Sequence, residues 1–116
     1  MSFKSSNPFE KRLEESNRIR NKYPDRIPLV CEKSDQKDIN LPKIDKCKFL
    51  VPLNLSIGQL LLIIRSRIKL SSEKAIFLFI NGTIPPSTET INTIYENFKD
   101  PDGFLYINYA SENVFG

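Results

Sequence analysis

Ser56-Ile-Gly-Gln-Leu-Leu-Leu-Ile-Ile-Arg-Ser-Arg-Ile-Lys69 is the stretch on which the fold turns. Ser56 can cap the first turn through its hydroxyl while Gln59, three residues on, returns a hydrogen bond to the Ser56 amide, a reciprocal box that marks a helix start. Ile57, Leu60, Leu61, Ile64 and Ile68 then recur at i, i+3, i+4, i+7 and i+11, one continuous apolar face. This is a core helix, Ile57 to Lys69. Leu62 and Ile63 fall roughly 100° or more off that face, so they need a second cover or remain as exposed apolar surface.

A helix with one apolar face needs a sheet, and strand-like runs lie on both sides of it. Upstream, Lys46-Cys-Lys-Phe-Leu-Val-Pro52 alternates, with Cys47, Phe49 and Val51 on one face and Lys46, Lys48 and Leu50 on the other. Before it, Ile27 to Lys33 places Ile27, Leu29 and Cys31 on one face and Pro28, Val30 and Glu32 on the other. Ser34 to Asp45 is a polar, proline-containing loop between them, and the two strands are read as an antiparallel pair. On these faces Cys31 and Cys47 can be neighbours. Downstream come a strand at Ala75 to Ile80, an Asn81-Gly82 turn, and a short helix from about Thr88 to Phe98. A turn at Asp100-Pro-Asp-Gly103 follows, with Pro fixing φ and Gly supplying a positive φ, and a last strand runs from Phe104 to Tyr109.

The order β-β-α-β-α-β, with a right-handed crossover carrying the main helix over one sheet face, defines an α+β ubiquitin-like β-grasp. The opposite face is left to a helical N-terminal extension. Asn7 is the expected cap, Pro8 the first helical residue and Glu10 the reciprocal partner. Phe9, Leu13, Ile19 and Tyr23 form a thin apolar stripe. Pro24 ends the helix. The organisation read from the sequence is an extension over residues 1–24, a core over 25–109 and a tail over 110–116.

Composition narrows the function. The 116 residues suffice for one core; 40% hydrophobic and 27% charged residues are ordinary for a globular chain. Neither a spanning apolar run nor a secretory h-region is visible, which points to the cytosol, and Cys31 and Cys47 read as free, unreactive thiols without metal spacing. The absence of histidine removes the commonest general base and any Cys-His or Ser-His pair, so the composition points away from an enzyme, and no cofactor is expected. The net charge of +3 is unevenly placed, +7 over residues 1–80 and −4 over 81–116. The basic part would favour acidic partners, but no Lys/Arg block is dense enough for a nucleic-acid footprint; a solvated mixed surface explains it equally.

The sequence ends on Gly116. A glycine threads a narrow channel and presents its carboxylate at backbone angles closed to other residues, so this end can serve as the substrate of an activating cascade, passing from an adenylate to a thioester to an amine. A loose, arbitrary terminus is the alternative.

Pro8-Phe-Glu-Lys-Arg12, Asp25-Arg-Ile-Pro28, Cys31-Glu-Lys33, Lys48-Phe-Leu-Val-Pro52, Ala75-Ile-Phe77, Ile84-Pro-Pro86, Asp102-Gly-Phe-Leu-Tyr106 and the closing Phe-Gly strongly resemble the autophagy ubiquitin-like modifiers of the GABA-receptor-associated protein and light-chain-three type. The resemblance covers nearly the whole chain in order. It departs in a loop around Ile39 to Pro42 that is about two residues longer, in Cys47 where a basic residue is common, and in Phe49 for the usual Tyr.

The resemblance implies conjugation of Gly116 to phosphatidylethanolamine by ubiquitin-like activating and conjugating enzymes. A processing or deconjugating cysteine protease, and residence on autophagosome and vacuolar or lysosomal membranes, are implied with it. Two acyl chains meet the two-signal requirement for stable anchoring, each buried CH₂ contributing ~0.8 kcal/mol. It also implies binding of cargo receptors through short motifs with an aromatic and an aliphatic anchor three residues apart, added as a β-strand. On the alternation above, an aromatic pocket is assigned to Glu15, Ile19, Pro28, Val30, Lys48, Leu50 and Phe104. An aliphatic pocket is assigned to Phe49, Val51, Pro52, Leu55, Leu60 and Ile63. Arg26, Lys46, Lys48 and Arg67 are assigned to the acidic residues of the motif. Two anchors at ~1.5–3 kcal/mol each, less ordering costs, imply affinities around the micromolar range. The rival reading is a non-conjugated adaptor in vesicle trafficking or cytoskeletal binding, acting through the basic extension.

Overall fold

The computed structural model describes residues 2–34, 41–71 and 73–111. Its elements in chain order are α1 (Phe3–Ser6), α2 (Phe9–Lys22), β1 (Arg26–Lys33), β2 (Lys48–Pro52), α3 (Ile57–Ile68), β3 (Phe77–Phe79), α4 (Ile91–Phe98) and β4 (Leu105–Ala110). The four strands form one mixed sheet in the order β2-β1-β4-β3, with β1–β2 and β3–β4 antiparallel and β1–β4 parallel at the centre. This is the ubiquitin-like β-grasp.

The capping box of α3 forms as read: the Ser56 hydroxyl accepts from the Gln59 amide at 3.1 Å, and the Gln59 side chain accepts from the Ser56 amide at 2.9 Å. Ile57, Leu60, Ile64 and Ile68 are buried against Ile27, Leu29, Val51, Leu105 and Ile107 of the sheet, with Leu61 half-buried at the margin. Leu62 remains 67% exposed, so nothing among the described residues covers it. The Asn81-Gly82 turn has positive φ at both residues and closes Ile80 against Thr83 with reciprocal bonds of 2.8 and 3.0 Å.

Several element boundaries differ from the sequence reading, each for a traceable reason. Helix α4 starts at Ile91 rather than near Thr88 because the preceding backbone has another task. The carbonyls of Ser87 and Glu89 accept from the Gly58 and Ile57 amides, satisfying donors that the first turn of α3 cannot pair internally. Asn7 does not cap α2. It closes a helix the sequence reading missed, α1, donating from its side chain to the Phe3 carbonyl at 2.9 Å; Pro8 then occupies the cap position of α2 with no side-chain bond. The signal for α1 was a second box, Ser2 reciprocated by Ser5. Strand β3 is shorter than the apolar run Ala75 to Ile80, since only Phe77 to Phe79 meet Asn108 to Ala110 on β4. The described part of the 34–45 loop is not merely polar surface. Leu41 and Ile44 are buried, and the Tyr109 hydroxyl donates to the Pro42 carbonyl at 2.8 Å.

The extension covers the free sheet face, but only through part of the expected stripe, Leu13 and Ile19 being half-buried. Phe9 and Tyr23 are exposed and Ser16 is the one buried residue of α2. Its hydroxyl donates to the Asp102 carbonyl. Asp102, wholly buried, accepts from Arg12, from the Tyr106 hydroxyl and from the Phe104 amide. Burial first, then the bond to Asp102, pushes the Tyr106 hydroxyl well above its usual range. Apolar contact on this face comes from Phe3 of α1, packed edge-on to Phe104 at 5.2 Å between ring centres, with Val30 beneath and Ile19 at the side.

Candidate functional site

Strand β2 lies at the edge of the sheet, so one row of its backbone amides and carbonyls faces away from β1. The pleat sends Lys48 and Leu50 toward α2 and Phe49 toward α3. A cleft of about 570 Å³ runs over this edge. On its α2 side stand Glu15, Ile19, Lys48 and Leu50, with Phe104 as a floor; on its α3 side stand Phe49, Ile63 and Arg67; Lys46 closes one end.

The cleft combines apolar surface with arranged charge. Leu50 and Ile63 are 43% and 37% exposed, one on each side of β2. Lys48 Nζ meets Glu15 Oε2 at 2.7 Å and lies 5.8 Å from the Phe3 ring centre. The Arg67 guanidinium lies 5.7 Å from the Phe49 ring centre and 3.8 Å from Asp45. Among the described residues no carboxylate stands within ion-pair distance of Lys46.

Thus the lining draws Glu15, Ile19, Lys48, Leu50 and Phe104 from the predicted aromatic pocket, Phe49 and Ile63 from the aliphatic one, and Lys46, Lys48 and Arg67 from the predicted cations. Pro28, Val30, Val51 and Leu60 are buried behind the walls. Pro52 and Leu55 are half-buried outside the lining, as is Arg26, whose carbonyl accepts from Arg20 at 2.6 Å. Sequence reasoning missed Phe3 and Asp45 as neighbours of the cations; the two are brought in by chain segments whose course no local periodicity reveals. Gly116 lies outside the described residues. Among those residues no helix is long and apolar enough to cross a membrane.

An open-edged β-grasp sheet backed by two N-terminal helices defines a ubiquitin-like protein, here with a cleft over its edge strand. The family model for autophagy protein Atg8, ubiquitin-like, matches residues 11–116. The chain is 56% identical over 115 residues to "Autophagy-related protein 8a" of Arabidopsis thaliana, covering 99% of this chain and 93% of that one. It is 55% identical over 114 residues to "Autophagy-related protein 8" of Pichia angusta, covering 98% and 90%. The crystal structure of Trypanosoma brucei ATG8 superposes with a TM-score of 0.89 at 40% identity, covering 100% of this chain and 98% of that one. The chain belongs to the Atg8 family of ubiquitin-like autophagy proteins.

Proposed function

We propose that this protein is a modifier conjugated through Gly116 to phosphatidylethanolamine, and that it recruits cargo receptors to autophagic membranes by taking up short aromatic-x-x-aliphatic motifs along β2. The observation that supports the binding half is the unpaired edge of β2 lying between two apolar walls, with Leu50 and Ile63 exposed on opposite sides and three cations around them. A ligand strand would draw its register from main-chain bonds to that edge and its selectivity from alternate side chains entering the two sides. Acidic neighbours in the motif would meet Lys46, Lys48 and Arg67.

The conjugation half rests on membership of the family and on the residue type at position 116. A two-chain phospholipid supplies both signals needed to hold on a bilayer a protein whose described residues contain no spanning helix. The partners required are ubiquitin-like activating and conjugating enzymes and a deconjugating cysteine protease.

The test is a mass measurement on the membrane-bound cellular form, paired with Gly116→Ala. The expected result is one phospholipid on the last residue in the wild type, and loss of both the adduct and the membrane fraction in the variant. An unmodified membrane-bound chain would reject the proposal, as would wild-type fractionation of the variant.

A further inference from the structure

Arg26 pairs with Pro52, and each further step along β1 and back along β2 keeps the register to Val30 against Lys48. The next step sets Cys31 against Cys47, and the Cys31 amide donates to the Cys47 carbonyl at 2.8 Å. Directly opposed residues of an antiparallel pair point to the same face, and where such a pair is hydrogen-bonded the Cα atoms stand about 5.5 Å apart. A disulfide spans Cα separations of about 4.4–6.8 Å. Both thiols are free, and both touch the same apolar cluster under α3.

Their accessibility differs in a useful way. Cys31 is wholly buried, whereas Cys47 is half-buried and lines a second cleft, about 280 Å³, between α1 and the segment leading into β2; Ser2, Asn7 and Lys43 stand around its mouth. Of the two positions, Cys47 is therefore the one on the side open to a small soluble disulfide. Lys46 and Lys48, on either side of Cys47, belong to the groove lining.

We propose that Cys31 and Cys47 form a reversible cross-strand disulfide in the folded protein, a redox modification site at the entrance of the groove-forming edge strand. The oxidant is a low-molecular-weight disulfide of the glutathione class. Cys47, as thiolate, attacks one sulfur of oxidised glutathione, giving a mixed disulfide and releasing one glutathione thiolate. The Cys31 sulfur then attacks the Cys47 sulfur of the mixed disulfide, breaking its bond to glutathione, and the departing glutathione takes up the Cys31 proton. Two protein thiols are oxidised to one disulfide and one glutathione disulfide is reduced to two thiols. Burial holds both thiols above their usual range, so each step quickens as pH rises. The bond made at a hydrogen-bonded pair is reducible by an ordinary dithiol, which returns the two free cysteines.

The full native chain is exposed to oxidised glutathione, and products are read by intact mass, by maleimide labelling after unfolding, and by peptide mapping without reduction. The expected wild-type product lacks two hydrogens, carries no glutathione, shows both thiols lost to labelling and yields a Cys31–Cys47 cross-linked peptide. Cys31→Ala stops at a single glutathione adduct on Cys47, and Cys47→Ser stays unmodified. Circular dichroism on both variants establishes that the fold persists. If the folded wild-type chain accumulates the same adduct as Cys31→Ala, or keeps both thiols reactive to maleimide, the proposal fails. It fails too if the cross-link forms only in denaturant.

Discussion

The Arg12 guanidinium and the Asp102 carboxylate meet at 2.5 Å although they stand 90 positions apart in the sequence, and this contact joins α2 to the turn before β4. Asp102 is wholly buried and also accepts from Tyr106 and Phe104. Replacing Asp102 by Ala strips three donors of their partner in one step. Asp102→Ala is expected to lose about 3 kcal/mol or more of folding stability, read by urea denaturation, and to release α2 from the sheet, read as faster amide exchange over Phe9–Lys22. Equal midpoints for variant and wild type would remove Asp102 from its structural role.

Gly103 has a φ of +90°, and a Cβ built there would lie 2.3 Å from Ser16 Oγ. Gly103→Ala combines a left-handed backbone cost of about 1–2 kcal/mol with a clash against the one buried residue of α2. Its thermal midpoint is expected to fall by several degrees. A midpoint equal to that of the wild type would show that neither the left-handed backbone nor the Ser16 contact limits the residue at this position.

Lys69 caps α3 in the left-handed region, φ 54° and ψ 42°, with its amide bonded to the last turn. Glycine adopts that conformation without the Cβ penalty. Lys69→Gly is expected to raise stability by about 0.5–1 kcal/mol, measured as a shift in urea midpoint at unchanged slope. A lower midpoint would mean that the lysine side chain contributes more than the backbone costs.

At Asp100, burial disfavours the carboxylate, but the hydrogen bond from Lys4 at 2.6 Å, with the Asp102 amide, outweighs it and holds the carboxyl below its usual range. A group depressed in the folded state stabilises fully above its unfolded value, near pH 4, and loses that contribution as pH falls through the lower folded value. The Lys4–Asp100 pair is partly exposed, so its contribution is up to about 1 kcal/mol. The stability gap between wild type and Asp100→Asn should be present at pH 7 and close progressively below about pH 4. A gap that widens on acidification would reverse the assignment.

Phe49 and Leu50 occupy opposite sides of β2 in the cleft. Truncating both to Ala should weaken binding of an acidic aromatic-x-x-aliphatic peptide by tenfold or more, each side chain contributing about 1–2 kcal/mol. Thioester formation at the terminus should be unaffected. Superimposable titration curves would reject the groove as the docking site.

What could be read from the chain follows the range of the interactions. The α3 face and the alternation of Phe49 against Leu50 depend on neighbours a few residues apart, and the structure has them; the β1–β2 pair followed from two alternating runs read in sequence order. Helix α2 was found, with Ile19 on its contact face, but the polar part of that face was not, because Ser16 and Arg12 gain their meaning only from Asp102. The same holds for Asn7, whose capping side chain serves α1 instead of α2, and for Leu41 and Ile44, hydrophobic residues in a polar segment that the core recruits. In the cleft, Glu15 and Lys48 were named together, and their ion pair forms, whereas Asp45 beside Arg67 comes from a distant segment that no spacing rule connects.

Strand β4 is hydrogen-bonded on both sides, parallel to β1 and antiparallel to β3. Tension applied to the segment that follows Ala110 therefore acts lengthwise on two ladders at once, loading their bonds together in shear rather than peeling them one by one. A chain tethered from that end resists mechanical extraction of its last strand, while β2, two strands away at the sheet margin, bears none of the strain directly.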